Sequence, residues 1–362
     1  MSVYLVTLLS VAVLCGLAQK MDYKSEQSVR LERIRHSQPA KIFFGLAVLI
    51  LICVSGLRYF VGTDYGAYYR GAAYYADEFW EKLRMLDEPG IRLIYKVAGW
   101  FSSDPAVSIF FCAAFTVFLM LRMLFRNTRE LLVAMLLFIF LGCWHGAFNG
   151  VRQYMAAAVL FCGYPYLYKK RFLKYLFVVF LAFLFHRSAI VMIFPYFIAK
   201  NKVNVKNILL LAVGCTAVLL SYDIVFSFAG TLLDETYSQE YGYFFRSVNA
   251  LRILVACAPA VYFAFIFWNK PKTEKETFYL NLLIMNAVTM VVTSQSAYLA
   301  RMGIYTATFS SIGIAELLKR HPAKTRSIVR AGIVLLFAAY WLYDIMFSRS
   351  LRSFHWIWER SI

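Results

Sequence analysis

Charge is scarce in this chain. Only 16% of its 362 residues are Asp, Glu, Lys or Arg, against roughly 25% in soluble globular proteins. Acids are the scarcer half, 20 against 38 Lys and Arg. Apolar and polar residues do not alternate over ten-residue segments, which excludes a β-barrel. No basic leader or small-residue cleavage site accompanies the first apolar run at 3–19, so that run is expected to be a retained helix. The seven cysteines stand singly inside apolar runs with no CxxC spacing, which gives disulfide or zinc frameworks no support. The five histidines are scattered, and no phosphate-binding glycine loop, HExxH helix or GxSxG elbow occurs. Internal repeats of constant period are not evident, and charges in the middle of apolar runs are few. Both gaps weaken a transporter reading.

What fills the chain instead is hydrocarbon, 61% hydrophobic residues with a mean hydropathy of +0.61. Apolar runs of about 17–22 residues recur from 3–19 to 328–347, so the expected fold is all-α, a polytopic transmembrane helix bundle of about 12 spans. These include 131–148, 151–168, 172–185, 187–199 and 207–228, within a single integral membrane domain over 1–362. The stretch 91–101 is too short and too charged to span and is expected to be an interfacial or re-entrant helix. It falls in a long loop, 58–104, and a second loop is expected at 229–249.

The connecting segments alternate in sign. Lysines and arginines cluster at 20–41, 122–129, 169–174, 200–206, 270–275 and 319–330. The positive-inside rule puts these segments in the cytoplasm and both termini on the outer side. This topology signal accounts for most of the net charge of +18, so a nucleic-acid partner is unnecessary. Contact with anionic membrane lipid would add to it. The outer segments carry few basic residues, nearly all arginine, among them Arg58, Arg152, Arg187, Arg252 and Arg301. Arginine's planar fork suits phosphate or carboxylate and keeps its charge, so several at one level suit an acidic or phosphate-bearing ligand.

Three motifs gather there. Arg58, Asp64 and Tyr65 follow the second apolar run, with Gly62 permitting a sharp turn; an Arg58–Asp64 ion pair is the simpler alternative. His145 opens a second motif that continues through Asn149, Gly150, Arg152 and Gln153. Its Asn-Gly step is a turn signal, and the next helix start favours anions. His186 and Arg187 interrupt a third apolar stretch. Histidine changes charge near neutral pH and serves as an acid or base; a carbonyl-bound helix-end histidine is the alternative. The outer loops are rich in Tyr and Trp, which suit sugar rings and equally form interfacial belts.

The order and spacing of these motifs resemble the EpsG family of bacterial membrane proteins, similar in role to Wzy-type polysaccharide polymerases. The carrying residues are Gly56-Leu-Arg58 through Gly62-Thr63-Asp64-Tyr65 with Tyr68, Phe148-Asn149-Gly-Val-Arg152-Gln153, Ala182 to Ala189 around His186, and Ala300-Arg301 to Tyr305. Family members often have a small residue after the histidine, where this chain has Arg187.

The resemblance implies a glycosyltransferase in the bacterial cytoplasmic membrane, with a fold similar to GT-C enzymes. It would polymerise undecaprenyl-diphosphate-linked repeat units for O-antigen, capsule or exopolysaccharide on the outer face. Donor and acceptor would both be lipid-linked glycans, and a chain-length regulator and a flippase are the implied partners. No metal or other cofactor is expected, because arginines can stabilise the leaving diphosphate. Arg58, Arg152 and Arg301 are assigned that role, supported by Arg187 and Arg252, with Tyr65, Asn149 and Gln153 in the binding site. Either His186 or Asp64 is the base, and His186 is preferred. Reaction opposite the diphosphate would invert the anomeric centre. A flippase for the lipid-linked glycan is the rival reading, and a membrane O-acyltransferase the weaker one.

Overall fold

The computed structural model describes residues 1–23, 36–199, 247–268 and 272–360, with isolated positions at 34, 213, 214, 216 and 270. The described residues are helical throughout, and their one strand-like feature is a single antiparallel bridge between Arg58 and Trp356. They divide into two compact units, Met1–Ile193 with Leu318–Ile362, and Phe194–Leu317.

The first unit begins with α1 (Ser2–Tyr23) and α2 (Gln38–Gly56), which pack against one another. Ser37 caps α2 by accepting from the Ala40 N–H, and Pro39 stands in its first turn, where a missing N–H costs nothing. Three short helices follow: α3 (Tyr65–Tyr75), α4 (Phe79–Arg84) and α5 (Pro89–Gly99). The segment expected to be interfacial is thus α5, which buries Ile91, Tyr95 and Ala98 and leaves Leu93 and Trp100 exposed. Asp104 caps α6 (Pro105–Asn127) through the Ala106 N–H. Helix α6 is the hub of this unit, touching α2, α3, α5 and α8.

Helix α7 (Leu131–Phe140) stops well before the expected end of the 131–148 run. Gly142 has φ +79 and Gly150 φ +56, left-handed values open to glycine. Between them lies a 3₁₀ turn, His145–Phe148. Helices α8 (Val151–Cys162), α9 (Tyr164–Tyr168) and α10 (Phe172–Phe183) follow. A 3₁₀ segment, Arg187–Ile193, returns along α10.

The second unit holds α11 (Pro195–Ile198), α12 (Ala250–Ile266), α13 (Glu274–Val292) and α14 (Gly303–Leu317). Thr273 and Glu276 form a capping box at α13. The chain then rejoins the first unit with α15 (Ala323–Phe347), which packs on α7, and α16 (Arg349–Arg352).

Among the described residues four helices are long and apolar enough to cross a membrane, α1, α2, α6 and α15, with five shorter apolar helical segments besides. The expected dozen uninterrupted spans is not what these residues form. The apolar run at 131–148 is broken by the turn Gly142–Gly150, while the runs expected at 172–185 and 187–199 meet at the turn Leu184–His186. The expected span at 207–228 and the loop at 229–249 lie almost wholly outside the described residues.

Candidate active site

The site grows from a tight turn between α4 and α5. Leu86 and Glu88 both have positive φ, 52° and 50°. Each such value costs a non-glycine residue on the order of 1–3 kcal/mol, and Pro89 further disfavours helical backbone at Glu88. Arg92 holds the turn by donating to the Asp87 and Glu88 carbonyls at 3.2 and 3.0 Å, and its Nε donates to Glu78 at 3.1 Å. The Gly90 N–H donates to the Leu184 carbonyl at 2.8 Å. The start of α5 is thereby fixed to the end of α10.

That docking buries the Glu88 carboxylate, 6% exposed, among three donors. Its Oε1 lies 2.6 Å from His186 Nδ1 and accepts from the Arg187 N–H at 3.0 Å. Its Oε2 accepts from Arg152 Nη1 at 2.6 Å. Burial pushes the Glu88 carboxyl up, but the bond from His186, the Arg152 charge and the Arg187 N–H outweigh it and hold it below its usual range. An ionised carboxylate only accepts, so the hydrogen-bond network assigns the imidazole hydrogen to Nδ1. His186 Nε2 is then the basic nitrogen of the neutral ring.

The side chains around this carboxylate keep open surface. The Arg152 side chain is 40% exposed and that of Arg187 58%, while His186 is 26% exposed. Arg187 Nη2 also pairs with Asp87 at 2.9 Å, and Lys82 reaches the other Asp87 oxygen at 2.8 Å. These links lower the Asp87 carboxyl, the Lys82 hydrogen bond foremost.

The other motifs brace the start of α8. Asp64 Oδ2 accepts from the Gly150 N–H at 2.8 Å, and Asn149 Oδ1 accepts from the Thr63 N–H. The two segments therefore latch reciprocally. Helix α3 packs its Tyr68 toward Arg152, whose N–H lies 3.5 Å from the phenol oxygen. Gln153 is buried on α8. Tyr65, Tyr68, Ile91, Tyr95, Ile109, Cys112, Val151 and Met155 form the common core beneath α3, α5, α6 and α8.

Arg58 occupies a different setting. It is 2% exposed and donates to the Ser55 and Val61 carbonyls. Its guanidinium lies over the Phe148 and Tyr65 rings, 4.6 and 5.5 Å from their centroids. Burial brings it down to about 10, with Tyr65 pulling the other way, so it stays charged at neutral pH. Its ion pair with Asp64, the simpler expectation, does not form: Asp64 is committed to Gly150. The C-terminal segment straps across this loop. Tyr59 N–H donates to the His355 carbonyl and Ile357 N–H to Leu57, both at 2.8 Å, and Arg360 pairs with Asp104 at 2.7 Å.

The structure thus brings Arg58, Asp64, Tyr65, Asn149, Arg152, Gln153, His186 and Arg187 together within one unit. Arg252 and Arg301 belong to the second unit. There Arg301 stands on the turn Leu299–Met302, whose Ala300 packs with Ala256 and Met290 beside Val248 and Ile253. Arg252, on the first turn of α12, is at the same end of that unit. His145, at the head of the second motif, is buried and pairs with Asp344 at 3.1 Å, tying α15 to the 3₁₀ turn. Among the described residues no three His, Cys, Asp or Glu side chains are grouped to hold a metal ion.

Glu88 was missed by reading the sequence. The signal available was Asp87-Glu88-Pro89-Gly90, two acids before a Pro-started helix.

The EpsG family model matches residues 41–357, nearly the whole chain and all of the motifs above. The chain belongs to the EpsG family. EpsG proteins are Wzy-like polysaccharide polymerases, and membership with these apolar helices makes this a multi-pass membrane protein of polysaccharide synthesis. No curated protein and no solved structure matches the chain.

Proposed function

We propose that this EpsG-family chain is a membrane glycosyltransferase that polymerises lipid-diphosphate-linked oligosaccharide units at the outer face of the cytoplasmic membrane. The observation that carries the reading is Glu88, which joins a basic nitrogen and an arginine fork in one hydrogen-bonded set. Elongating a lipid-linked glycan needs both parts. His186 Nε2 takes the proton from the acceptor hydroxyl as its oxygen attacks the anomeric carbon of the donor. The bond from that carbon to the diphosphate breaks, and the diphosphate leaves with the electron pair. Arg152 and Arg187 face the growing negative charge; such prepositioned cations contribute several kcal/mol in enzymes generally. The proton on His186 then passes to water. Attack opposite the leaving group inverts the anomeric centre.

Glu88 keeps the imidazole turned and its Nδ1 protonated, so the Nε2 lone pair is available, and it favours the imidazolium that forms. Asp64, engaged with Gly150, fits a positioning role better than that of base. Arg58, enclosed by carbonyls and rings, supports the loop that carries Asp64. Arg252 and Arg301 are proposed as further contacts for the acidic part of the substrate. The clustering of lysine and arginine in alternate loops supports the outer-face placement.

In a deletion strain, His186→Ala or Arg152→Ala at wild-type protein levels should leave lipid bearing single repeat units and no ladder. Removal of a general base costs about 10²–10⁴-fold in rate. Ladders of normal length from both variants would overturn the assignment. Units trapped on the inner leaflet would point to a flippase instead.

A further inference from the structure

We infer that the hairpin formed by α10 and the returning segment Arg187–Ile193 is the seat of the substrate's polyisoprenyl chain, directly below the diphosphate. The inference rests on the proposed glycosyl transfer from a lipid diphosphate and adds where its lipid lies. A groove of about 480 Å³ runs between the two arms, lined by Leu176, Phe177, Phe180 and Phe183 on α10 and by Ile190 and Ile193 on the return, among other apolar side chains. Every described residue that lines it is apolar. The arms are tied by the Tyr175 hydroxyl, which donates to the Met192 carbonyl at 2.7 Å.

Continuity with the site identifies the occupant. The arms meet at Leu184–His186, and Arg187 begins the return. The hairpin end of the groove, at Phe183, therefore adjoins the segment that contacts Glu88. Moving along the hairpin, a ligand would meet first the guanidinium of Arg187 and the imidazole, then hydrocarbon alone. The lining side chains of α10 run from Phe183 back to Leu173, an apolar path of about 15 Å. An anionic head followed at once by a single apolar chain matches this order, and polyisoprenyl diphosphate has that form. A glycerophospholipid carries two chains and a glycerol between phosphate and hydrocarbon, a poorer match to one narrow groove.

The test uses the full chain in phosphatidylglycerol-containing vesicles and an undecaprenyl diphosphate bearing a diazirine near its head. Label is expected in the Phe172–Ile193 peptide. Unlabelled undecaprenyl diphosphate should compete it away, and extra phosphatidylglycerol at equal mole fraction should not. Ile190→Trp, which fills the groove from an exposed position, should cut labelling roughly tenfold. Val261→Trp, an exposed apolar site on α12, should leave it unchanged. With glycan donors, Ile190→Trp should raise KM for the undecaprenyl form roughly tenfold.

Label elsewhere in the chain, equal competition by phosphatidylglycerol, or insensitivity to Ile190→Trp would overturn the groove assignment. The two readings fail separately. Polymer made while label lies elsewhere removes the groove alone; groove labelling with no glycosyl transfer from any donor removes the polymerase and keeps the lipid site.

Discussion

Glu88 sits in a backbone conformation that few glutamates adopt, and the surrounding bonds explain why it is kept there. Its carboxylate has three donors from two separate segments, Arg152 on α8 and the adjoining His186 and Arg187 after α10, so loss of the charge should be felt at both. Glu88→Gln preserves shape but presents an amide, which cannot accept from every partner at once. Its kcat should fall about 10²–10⁴-fold, with KM changed far less; equal losses in both would mean a role in binding. The sign of the pH effect follows from the lowered Glu88 pKa. A carboxyl depressed on folding stabilises fully above its unfolded value, near 4.3, and that contribution disappears as pH falls through the lower folded value. Wild-type protein should therefore lose thermal stability in detergent on going from about pH 5 to pH 3. Glu88→Gln should show a shallower loss over that range, and identical slopes would refute the carboxylate's role. His186 was legible from the sequence because a histidine inside an apolar stretch is conspicuous. Glu88 was not, since nothing local marks which loop acid will be buried.

Among the elements, the decisive pieces are turns that interrupt apolar runs. Sequence periodicity sees hydrocarbon through 131–148, and cannot tell a spanning helix from a helix that stops and turns. Glycine conformations at 142 and 150 and the Leu184–His186 turn place Arg152 and His186 at the starts and ends of short helices. Gly62 shows how tight one such turn is: its φ is +105, and a Cβ there would stand 2.5 Å from the Phe148 carbonyl oxygen. Gly62→Ala should cost about 1–3 kcal/mol through backbone strain, with more from that clash, and should reduce polymer through loss of folded protein. A wild-type melting temperature would contradict it. The C-terminal strap is a second element that composition hides. Deleting residues 353–362 removes two backbone bonds to 57–59 and the Arg360–Asp104 pair, together worth about 2–3 kcal/mol. Melting in detergent should drop accordingly, and the loop 57–64 should become sensitive to protease.

For the molecule as a whole, the charge pattern predicts which surface faces outward. Glu81→Cys, exposed on α4 ahead of the Glu88 turn, should react with a membrane-impermeant thiol reagent in intact cells. Thr325→Cys, exposed at the start of α15, should react only after permeabilisation. The reverse pattern would put the Glu88 site in the cytoplasm and end the outer-face reading.

By itself the sequence determined that this is an α-helical membrane protein of the EpsG family, and it marked Arg58, Asp64, Arg152 and His186 as a set. Composition and motif order suffice for that, because hydrocarbon demands helices and charges near it are few enough to be noticed. Only the tertiary structure decided how the set is wired. It buried Arg58 under rings and carbonyls, tied Asp64 to the Gly150 N–H, and brought an unremarked glutamate to Arg152 and His186. Those outcomes depend on contacts across 64 and 98 positions, made by docking α5 onto the α10 turn. No local pattern encodes a contact of that range.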